Sequence, residues 1–454
     1  MNEKIKSIHF VGIGGIGMSG LAEIMNQQGY TVTGSDNQLS EITDHLASAG
    51  VKIYKGHDAK NVQCDLLVYT SAVNDSNPEL AEAKRRGIPT MKRAELLGEF
   101  TRNKKAICIS GTHGKTTTTA MTGLMLEQAG KDPTMFVGGI LQGMKTNAKL
   151  GRSEWIVVEA DEFDRSFLTL FSHIAVINNV EADHLDCYKD LNDIQQTFAQ
   201  FANQTSDTGK VIVNADDPRV AEIIPIIRKQ IKTFGFVDHA DVRAERIRQE
   251  KTTLTFSVLY EQRNYGEVRL HLSGDHNVKN ALAATAVGLE IGLPFDVIRQ
   301  SLENFQGTGR RFELLGTVKG VTFIDDYAHH PTEIKATLNG ARKGWKKNRI
   351  VAVFQPHLFS RTRDLMNEFA TAFGDADMVL LTNIYAAREK PIPGIDGTVL
   401  YRAIQQHHPN AFYVPDKNML DAEIEKMMQD GDVVITMGAG DITEIGRRLV
   451  RKLI

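Results

Sequence analysis

Residues 106–119 read Ala-Ile-Cys-Ile-Ser-Gly-Thr-His-Gly-Lys-Thr-Thr-Thr-Thr, an apolar strand that passes through a glycine turn into a helix. A strand handed directly to a helix commits this part of the chain to a layered α/β arrangement around a parallel sheet. The same turn is committed chemically. Backbone N–H groups at the helix start, approachable because Gly111 and Gly114 carry no side chain, face anionic oxygens. Lys115 then reaches the outer phosphates of a nucleotide and the Thr116 hydroxyl a Mg²⁺, with Thr112, His113 and Thr117 completing the loop. The usual phosphate loop has four residues between its glycines. Only Thr112 and His113 separate them here, so the loop is a compact relative of that motif.

The strand–helix rhythm recurs along the 454 residues. Short apolar runs at 8–11, 31–34 and 66–69 alternate with helical patterns at 16–28 and 41–49, which predicts a βαβ series. The polar stretch 100–105 interrupts the pattern and places a boundary at 102/103. Strands follow at 106–110, 155–159, 174–178 and 210–214, each ending near polar or acidic residues, where open parallel sheets bind ligands. Residues 240–272 alternate and are rich in β-branched side chains, which predicts an antiparallel hairpin or small sheet, with strands at 242–247, 252–259 and 268–272. A helix is expected at 277–290, and the polar, glycine-containing passage 304–311 places a second boundary at 308/309. A fresh alternation at 316–325 then leads to strands at 349–354, 378–382 and 432–437 and a helix at 362–373. The expected fold class is α/β, with three domains (1–102, 103–308, 309–454) each built on a largely parallel sheet with flanking helices. The first reads as Rossmann-like, the central one as P-loop ATPase-like and the last as Rossmann-like.

Composition narrows the partners. A net charge of −3 without a long basic run gives no electrostatic footprint for nucleic acid or an anionic membrane. The N-terminus passes straight into a strand with no apolar leader, and no apolar run is long enough to span a bilayer, so a cytoplasmic protein is expected. Three scattered cysteines, Cys64, Cys108 and Cys187, suit neither a disulfide framework nor a structural zinc site.

Four further constellations carry chemistry. Gly12-Ile-Gly14-Gly15-Ile16-Gly17 follows a strand, opens a helix and precedes Asp36 at another strand end. That pattern brings a diphosphate to a helix N-terminus and a carboxylate to a sugar hydroxyl. A nucleotide diphosphate, NAD(P) and simple strand–helix packing all accommodate it. The strand ends Glu159-Ala-Asp161-Glu162 and Glu181-Ala-Asp183-His184 supply carboxylates and a histidine. Mg²⁺ prefers oxygen ligands, so one of these carboxylates with Thr116 is expected to hold a first ion, a helix cap or ion pair being the plainer alternative for Glu159. In Asp325-Asp326-Tyr-Ala-His329-His330-Pro-Thr-Glu333, adjacent histidines in a turn point apart and suit no shared Zn²⁺. Either aspartate there suits a ribose or a reacting amine. Gln355-Pro-His357-Leu-Phe-Ser360-Arg361-Thr-Arg363 offers arginines for a phosphate or carboxylate, or simply a solvated helix start.

Taken in order, residues 9–22, 111–117, 179–186, 275–280, 325–331 and 438–441 resemble the Mur ligases, and the resemblance covers essentially the whole chain. It implies ATP-dependent amide formation in peptidoglycan synthesis, with UDP-N-acetylmuramate and L-alanine as substrates and ATP and Mg²⁺ as cofactors. The N-terminal glycine loop is the segment that points to L-alanine. ATP would phosphorylate the muramoyl carboxylate, and the amine would displace phosphate from the resulting acyl phosphate, a mixed anhydride with a better leaving group. By the same resemblance Lys115 and Thr116 serve the phosphates and first ion, Glu159 the same ion, and His184 a second ion. Asn280 resembles an adenine contact, Arg310 or Arg311 a γ-phosphate contact, and Asp326 a ribose or substrate contact. His357 and Arg361 are expected around alanine or the acyl phosphate. Gly14, Gly15, Ile16 and Gly17 would hold UDP, with Asp36, His57 and Ser71 as neighbours. Several relatives hold the second metal with a modified lysine, and no lysine stands in a matching setting near Arg165 and Ser166. A monomer or weak homodimer is expected, with no nucleic-acid or membrane partner.

Overall fold

The computed structural model describes residues 4–139, 146–183, 187–387 and 389–454. Three sheets organise a three-domain α/β fold. The first holds β1 (Ser7–Val11), β2 (Thr31–Asp36), β3 (Lys52–Lys55), β4 (Leu66–Tyr69) and β5 (Thr90–Lys92) in the order β3-β2-β1-β4-β5, all pairs parallel. The order turns back beside β1, so the crevice beyond the carboxyl ends of β1 and β4 is the switch point where such sheets take ligands.

The second sheet comprises β6 (Lys105–Ser110), β7 (Thr134–Phe136), β8 (Ala148–Lys149), β9 (Trp155–Glu159), β10 (Ile174–Ile177), β11 (Lys210–Asn214), β12 (Gln230–Gly235), β13 (Val242–Glu250), β14 (Thr253–Tyr260) and β15 (Arg263–Leu270). Its order is β15-β14-β13-β12-β11-β10-β6-β9-β7-β8. The strands from β9 through β6 and β10 to β12 run parallel, and the near-continuous Val, Ile and Ala runs of β9, β6, β10 and β11 are buried, whereas β12 is only partly covered. Two-residue loops join β13 to β14 and β14 to β15, the connection expected of hairpins. Glu261 and Gln262 both take positive φ (47° and 67°), although neither residue type announces such a turn, and β15 consequently starts at Arg263 rather than at 268.

The third sheet contains β16 (Glu313–Val318), β17 (Val321–Asp326), β18 (Ile350–Phe354), β19 (Met378–Leu381), β20 (Ala411–Tyr413) and β21 (Val433–Met437), in the order β16-β17-β21-β18-β19-β20. The single alternation expected at 316–325 is an antiparallel pair, β16 against β17, turned by Lys319 (φ 50°) and Gly320 (φ 75°). The one helix expected at 362–373 is two, Phe359–Asp364 and Met366–Ala370. Leu365 between them leaves the helical region (φ −114°, ψ 25°) and breaks the turn.

The described chain forms two compact units: Met1–Glu245 with Ser257–Gly266 and Lys279–Phe305, and Arg246–Phe256 with Glu267–Val278 and Gln306–Ile454. In the first unit one apolar core runs from Ile8, Phe10 and Leu21 of the first sheet layer to Ile156, Phe198 and Val213 of the second. Contact between the layers is close. A Cβ on Gly20 would lie 2.9 Å from that of Ala148, and one on Gly98 only 2.4 Å from the Thr169 carbonyl oxygen. No helix among the described residues is long and apolar enough to cross a membrane.

Candidate active site

β6 delivers the phosphate loop into the helix Lys115–Gln128, with Gly114 as its N-cap in the left-handed region (φ 81°) and Gly111 also at positive φ (133°). Side chains are excluded twice over. A Cβ on Gly114 would approach Asn280 Oδ1 to 2.4 Å, and one on Gly111 would approach the Asn178 Cβ to 2.9 Å. The carboxyl end of β10 braces the loop from the side. Asn179 Oδ1 accepts from the His113 N–H at 2.8 Å, its Nδ2 donates to the His113 carbonyl at 3.0 Å, and the Glu181 N–H donates to Thr112 Oγ1 at 2.8 Å. Asn280 is nearly buried beneath the loop, where its Oδ1 accepts from Thr118 Oγ1 at 3.2 Å, and Thr117 is buried in the same helical turn.

Lys115 Nζ donates to the Gly111 carbonyl at 2.7 Å and lies 2.9 and 2.7 Å from the two carboxylate oxygens of Glu162. Burial alone would depress the ammonium, but the charges of Glu162, Asp161 and Glu159 hold its pKa above the ordinary lysine range. It is therefore a fixed positive charge in the loop. Beside it, Thr116 Oγ1 lies 3.2 and 3.1 Å from the two oxygens of Glu159, and the Gly138 N–H donates to Glu159 Oε2 at 2.7 Å. Burial pushes the Glu159 carboxyl upward, with Lys115 opposing the shift. An adjacent hydroxyl and an enclosed carboxylate make a pair of hard oxygen ligands of the kind that suits Mg²⁺.

The glycine loop after β1 opens the helix Ile16–Gln27 with Gly15 as N-cap. It borders a cleft that Glu159 also lines. That cleft, of about 360 Å³, is lined by Gly15, Ile16 and Gly17 on one side and by Gly138, Glu159 and Asp161 on the other, with Arg93 and Thr70 between. Arg93 stands 3.8 Å from Asp161. Asp36, expected to reach a sugar, instead accepts from the Gly14 N–H at 2.9 Å and the Gln38 N–H at 3.1 Å, so in this structure it shapes the loop. His57 follows β3 and bonds to Ser35 and Glu79 beneath the loop, while Ser71 is exposed after β4.

In the second unit, β17 and the turn before β16 assemble another polar group. Arg310 and Arg311 lie over the Tyr327 ring at 4.9 and 5.1 Å, Arg310 also bonds to Asp325 at 3.3 Å, and Arg311 lies 3.7 Å from Glu333. Tyr327 continues edge-on to His329, His329 to His357, and His357 stacks on Tyr385. Arg361 NH1 reaches His357 Nδ1 at 3.4 Å. The two adjacent histidines diverge as expected: His329 Nδ1 donates to the Tyr327 carbonyl at 2.9 Å, whereas His330 caps the helix Pro331–Gly344. Asp326 accepts from the N–H groups of Phe312 (2.7 Å) and Ala328 (2.8 Å) and from Thr337 Oγ1 (3.2 Å). Burial raises its pKa to about 6, and burial lowers that of His329 to about 4. Arg310 and Leu358 hold positive φ (61° and 72°), strain of the kind that concentrates at working sites.

Glu159, Lys115, Thr116 and the residues 111–117 thus meet around one point, with Gly15–Gly17 across the cleft. Arg310, Arg311, Asp326, His357 and Arg361 form a second group. His184, expected at a second ion, lies outside the described residues. Sequence reading did not pair Glu162 with Lys115, or place Arg93, Gly138, Asn178 and Asn179 at the site. Arg165, whose surroundings suggested no role, is anchored by Asp193 at 2.6 Å and Thr197 at 2.7 Å, and with Asp164 it occupies positive φ (55° and 54°).

Family models match three consecutive stretches: the Mur ligase family catalytic domain at residues 7–105, the Mur ligase middle domain at 109–288, and the Mur ligase glutamate ligase domain at 310–440. Over 453 residues the chain is 47% identical to a UDP-N-acetylmuramate–L-alanine ligase of Salinibacter ruber, covering 99% of this chain and 95% of the relative. It is likewise 47% identical to the enzyme so named in Geobacter sulfurreducens, covering 100% and 99%. Among solved structures, the UDP-N-acetylmuramate-alanine ligase of Thermotoga maritima superposes with a TM-score of 0.83 at 31% identity, covering 98% of each chain. A murein peptide ligase of Psychrobacter arcticus gives 0.73 at 27%, covering 99% and 98%.

Proposed function

The chain belongs to the Mur ligase family, and from that membership we propose that it joins L-alanine to the carboxylate of UDP-N-acetylmuramate, consuming ATP and releasing ADP and phosphate. Relatives carrying that activity in their names are 46–47% identical over 99–100% of the chain. One observation carries the reading. A single cleft is bounded by a diphosphate-type glycine loop and by the carboxylate beside a phosphate loop, the juxtaposition required to bring a sugar-borne carboxylate to ATP. A hydride-transfer enzyme built on the first loop alone would leave the second without purpose.

Each step then falls to residues of this chain. The loop N–H groups and Lys115 receive the phosphates, and Lys115 holds positive charge against the γ-phosphoryl as it moves to the muramoyl oxygen. Thr116 and Glu159 would hold a Mg²⁺, which when bound offsets the phosphate charge, and His184 a second ion. Arg93 and Gly14–Gly17 face the UDP-sugar. Following the family resemblance, Arg310 or Arg311 is assigned to the γ-phosphate, Asn280 to adenine, Asp326 to a ribose or substrate contact, and His357 and Arg361 to alanine or the acyl phosphate. Asp36, His57 and Ser71 are assigned to the surroundings of UDP. The spans of the three family models support domains at 1–102, 103–308 and 309–454. The protein is proposed to work in the cytoplasm as a monomer or weak homodimer.

Phosphate release measured with ATP, Mg²⁺, UDP-N-acetylmuramate and each amino acid in turn, followed by product mass, tests the reading. L-alanine should support the highest rate and yield one amide per phosphate. Release that ignores the UDP-sugar or the amino acid would overturn it.

A further inference from the structure

Beneath the glycine loop lies a buried ionic cluster that the phosphoryl-transfer machinery does not use. Glu79 is fully buried at the start of the helix Pro78–Arg85. Its carboxylate accepts from Ser35 Oγ at 2.5 Å and Asn61 Nδ2 at 2.8 Å, and lies 3.2 Å from His57 Nδ1 and 3.5 Å from His9 Nε2. Burial works against its ionisation, yet the bonds from His9, Ser35 and Asn61 outweigh it and hold the carboxyl at about 2. Ser35 is the link upward, because its carbonyl accepts from Gly12 N–H at 2.8 Å and Ile13 N–H at 3.0 Å.

The protons in this cluster are determined by elimination. Ser35 Oγ has one hydrogen and donates it to Glu79. His57 Nδ1 then faces two acceptors, Ser35 Oγ at 2.9 Å and the Glu79 carboxylate, so Nδ1 must carry the hydrogen. In the neutral ring Nε2 is left as a bare acceptor, and no described residue is bonded to it. His57 stands just past the carboxyl end of β3, anchored through the Gly56 N–H on the Asp36 carbonyl at 2.7 Å, and its side chain keeps 15% of its surface open. It faces the same end of the sheet as the glycine loop.

We propose that Glu79 is a positioning residue for the UDP-sugar: it fastens Ser35 under the glycine loop and fixes the His57 tautomer, so that Nε2 accepts a hydrogen bond from a donor on the nucleoside, a ribose hydroxyl or the base imide N–H. This rests on the reading that the glycine loop takes the UDP-sugar.

Calorimetric titration of the full chain with UDP-N-acetylmuramate and, separately, with ATP tests it. Glu79→Gln and His57→Gln should each weaken the UDP-sugar about tenfold, the scale of one hydrogen bond, with ATP affinity within about twofold of the parent. Because both act through one contact, the double variant should bind no more weakly than the poorer single. Imidazole ¹⁵N spectra should show Nδ1–H at His57 in the parent and Nε2–H in Glu79→Gln. With 2′-deoxy-UDP and N3-methyl-UDP, the ligand lacking the recognised donor should bind the parent and His57→Gln alike. If Glu79→Gln does not fold, Ser35→Ala, which leaves Glu79 and both histidines in place, should reproduce the selective weakening. Unchanged UDP-sugar affinity in the variants, equal loss of ATP affinity, or an Nε2–H tautomer in the parent would overturn the assignment to Glu79. A parent chain that binds no UDP-sugar at all would instead overturn the ligase reading.

Discussion

Lys115 Nζ sits 2.7 and 2.9 Å from the two oxygens of Glu162, so the loop lysine holds a carboxylate where a nucleotide would offer phosphate oxygens. Glu162 comes from the turn after β9, and its backbone carbonyl is tied by Tyr188 Oη at 2.5 Å. ATP entering this loop exchanges one anionic partner of Lys115 for another, which bears on both rate and stability.

Lys115→Ala removes the positive charge that the phosphate loop itself is proposed to bring to the transferring phosphoryl. The rate of phosphate release at saturating substrates should fall by about 10²-fold or more, the scale for losing a charge-stabilising donor. Near-parental turnover in a coupled ADP assay would contradict the role.

Glu162→Ala leaves the ammonium without its closest counter-charge in a pocket where both side chains are largely covered (13% and 4% exposed). A loss of up to about 3 kcal/mol of stability is expected, as for breaking one side of a buried pair. A non-hydrolysable ATP analogue should recover more thermal stability in the variant than in the parent, because phosphate replaces the missing carboxylate. Equal shifts in both would mean that the pair is incidental.

Gly138→Ala places a Cβ 2.4 Å from Glu159 Oε2, and the carboxylate must swing from Thr116 to relieve the overlap. The Mg²⁺ concentration giving half-maximal rate should rise about tenfold or more, the scale of one lost ligand contact. An unchanged Mg²⁺ titration would remove Glu159 from the metal site.

Asp326 and His329 are linked to pH with opposite sign. The folded pKa of Asp326 is raised to about 6 from 3.8, so its contribution is full below 3.8 and is lost as pH rises through 6. His329 is lowered to about 4 from 6.5, so its contribution is full above 6.5 and is lost as pH falls through 4. Between pH 4 and 6 the two oppose each other. Urea midpoints of His329→Gln should therefore fall as pH rises across that window, whereas those of Asp326→Asn should rise. Parallel profiles in the two variants would refute the pairing.

The parts of this molecule legible in the sequence are those that local chemistry specifies. An apolar run ending in Ser110-Gly111 and followed by Gly114-Lys115 can hardly be anything but strand, phosphate turn and helix, and β6 and its helix lie there. A carboxylate beside Thr116 is expected from the oxygen preference of Mg²⁺, and the family resemblance is what singles out Glu159. The contacts that were not legible join distant parts of the chain. Glu162 lies 47 positions from Lys115 and Asn280 lies 162 from Thr118, and their meeting depends on strand order, which no periodicity encodes. Asp36 illustrates a different difficulty. Its spacing from the glycines was read correctly, but a short carboxylate at that strand end can bond to the loop amides as readily as to a sugar. The hairpin over 240–272 is expected from its alternation, but the tight turn at Glu261-Gln262 and the break at Leu365 carry no Gly, Asn or Pro to mark them.

The continuous core beneath the first two sheets has a mechanical consequence. Because Ile8 and Phe10 share packing with Ile156 and Phe198, the glycine loop and Glu159 are mounted on one rigid frame, with Gly20 and Gly98 allowing no slack between the layers. The span from the loop proposed to hold the diphosphate to the site proposed to deliver the phosphoryl group is then a property of the scaffold, and the cleft acts as a caliper. A sugar nucleotide is measured by whether its carboxylate reaches the far jaw when its diphosphate rests on the near one. One carbon too few or too many would leave the acid out of register, and discrimination by length would precede any discrimination by chemistry.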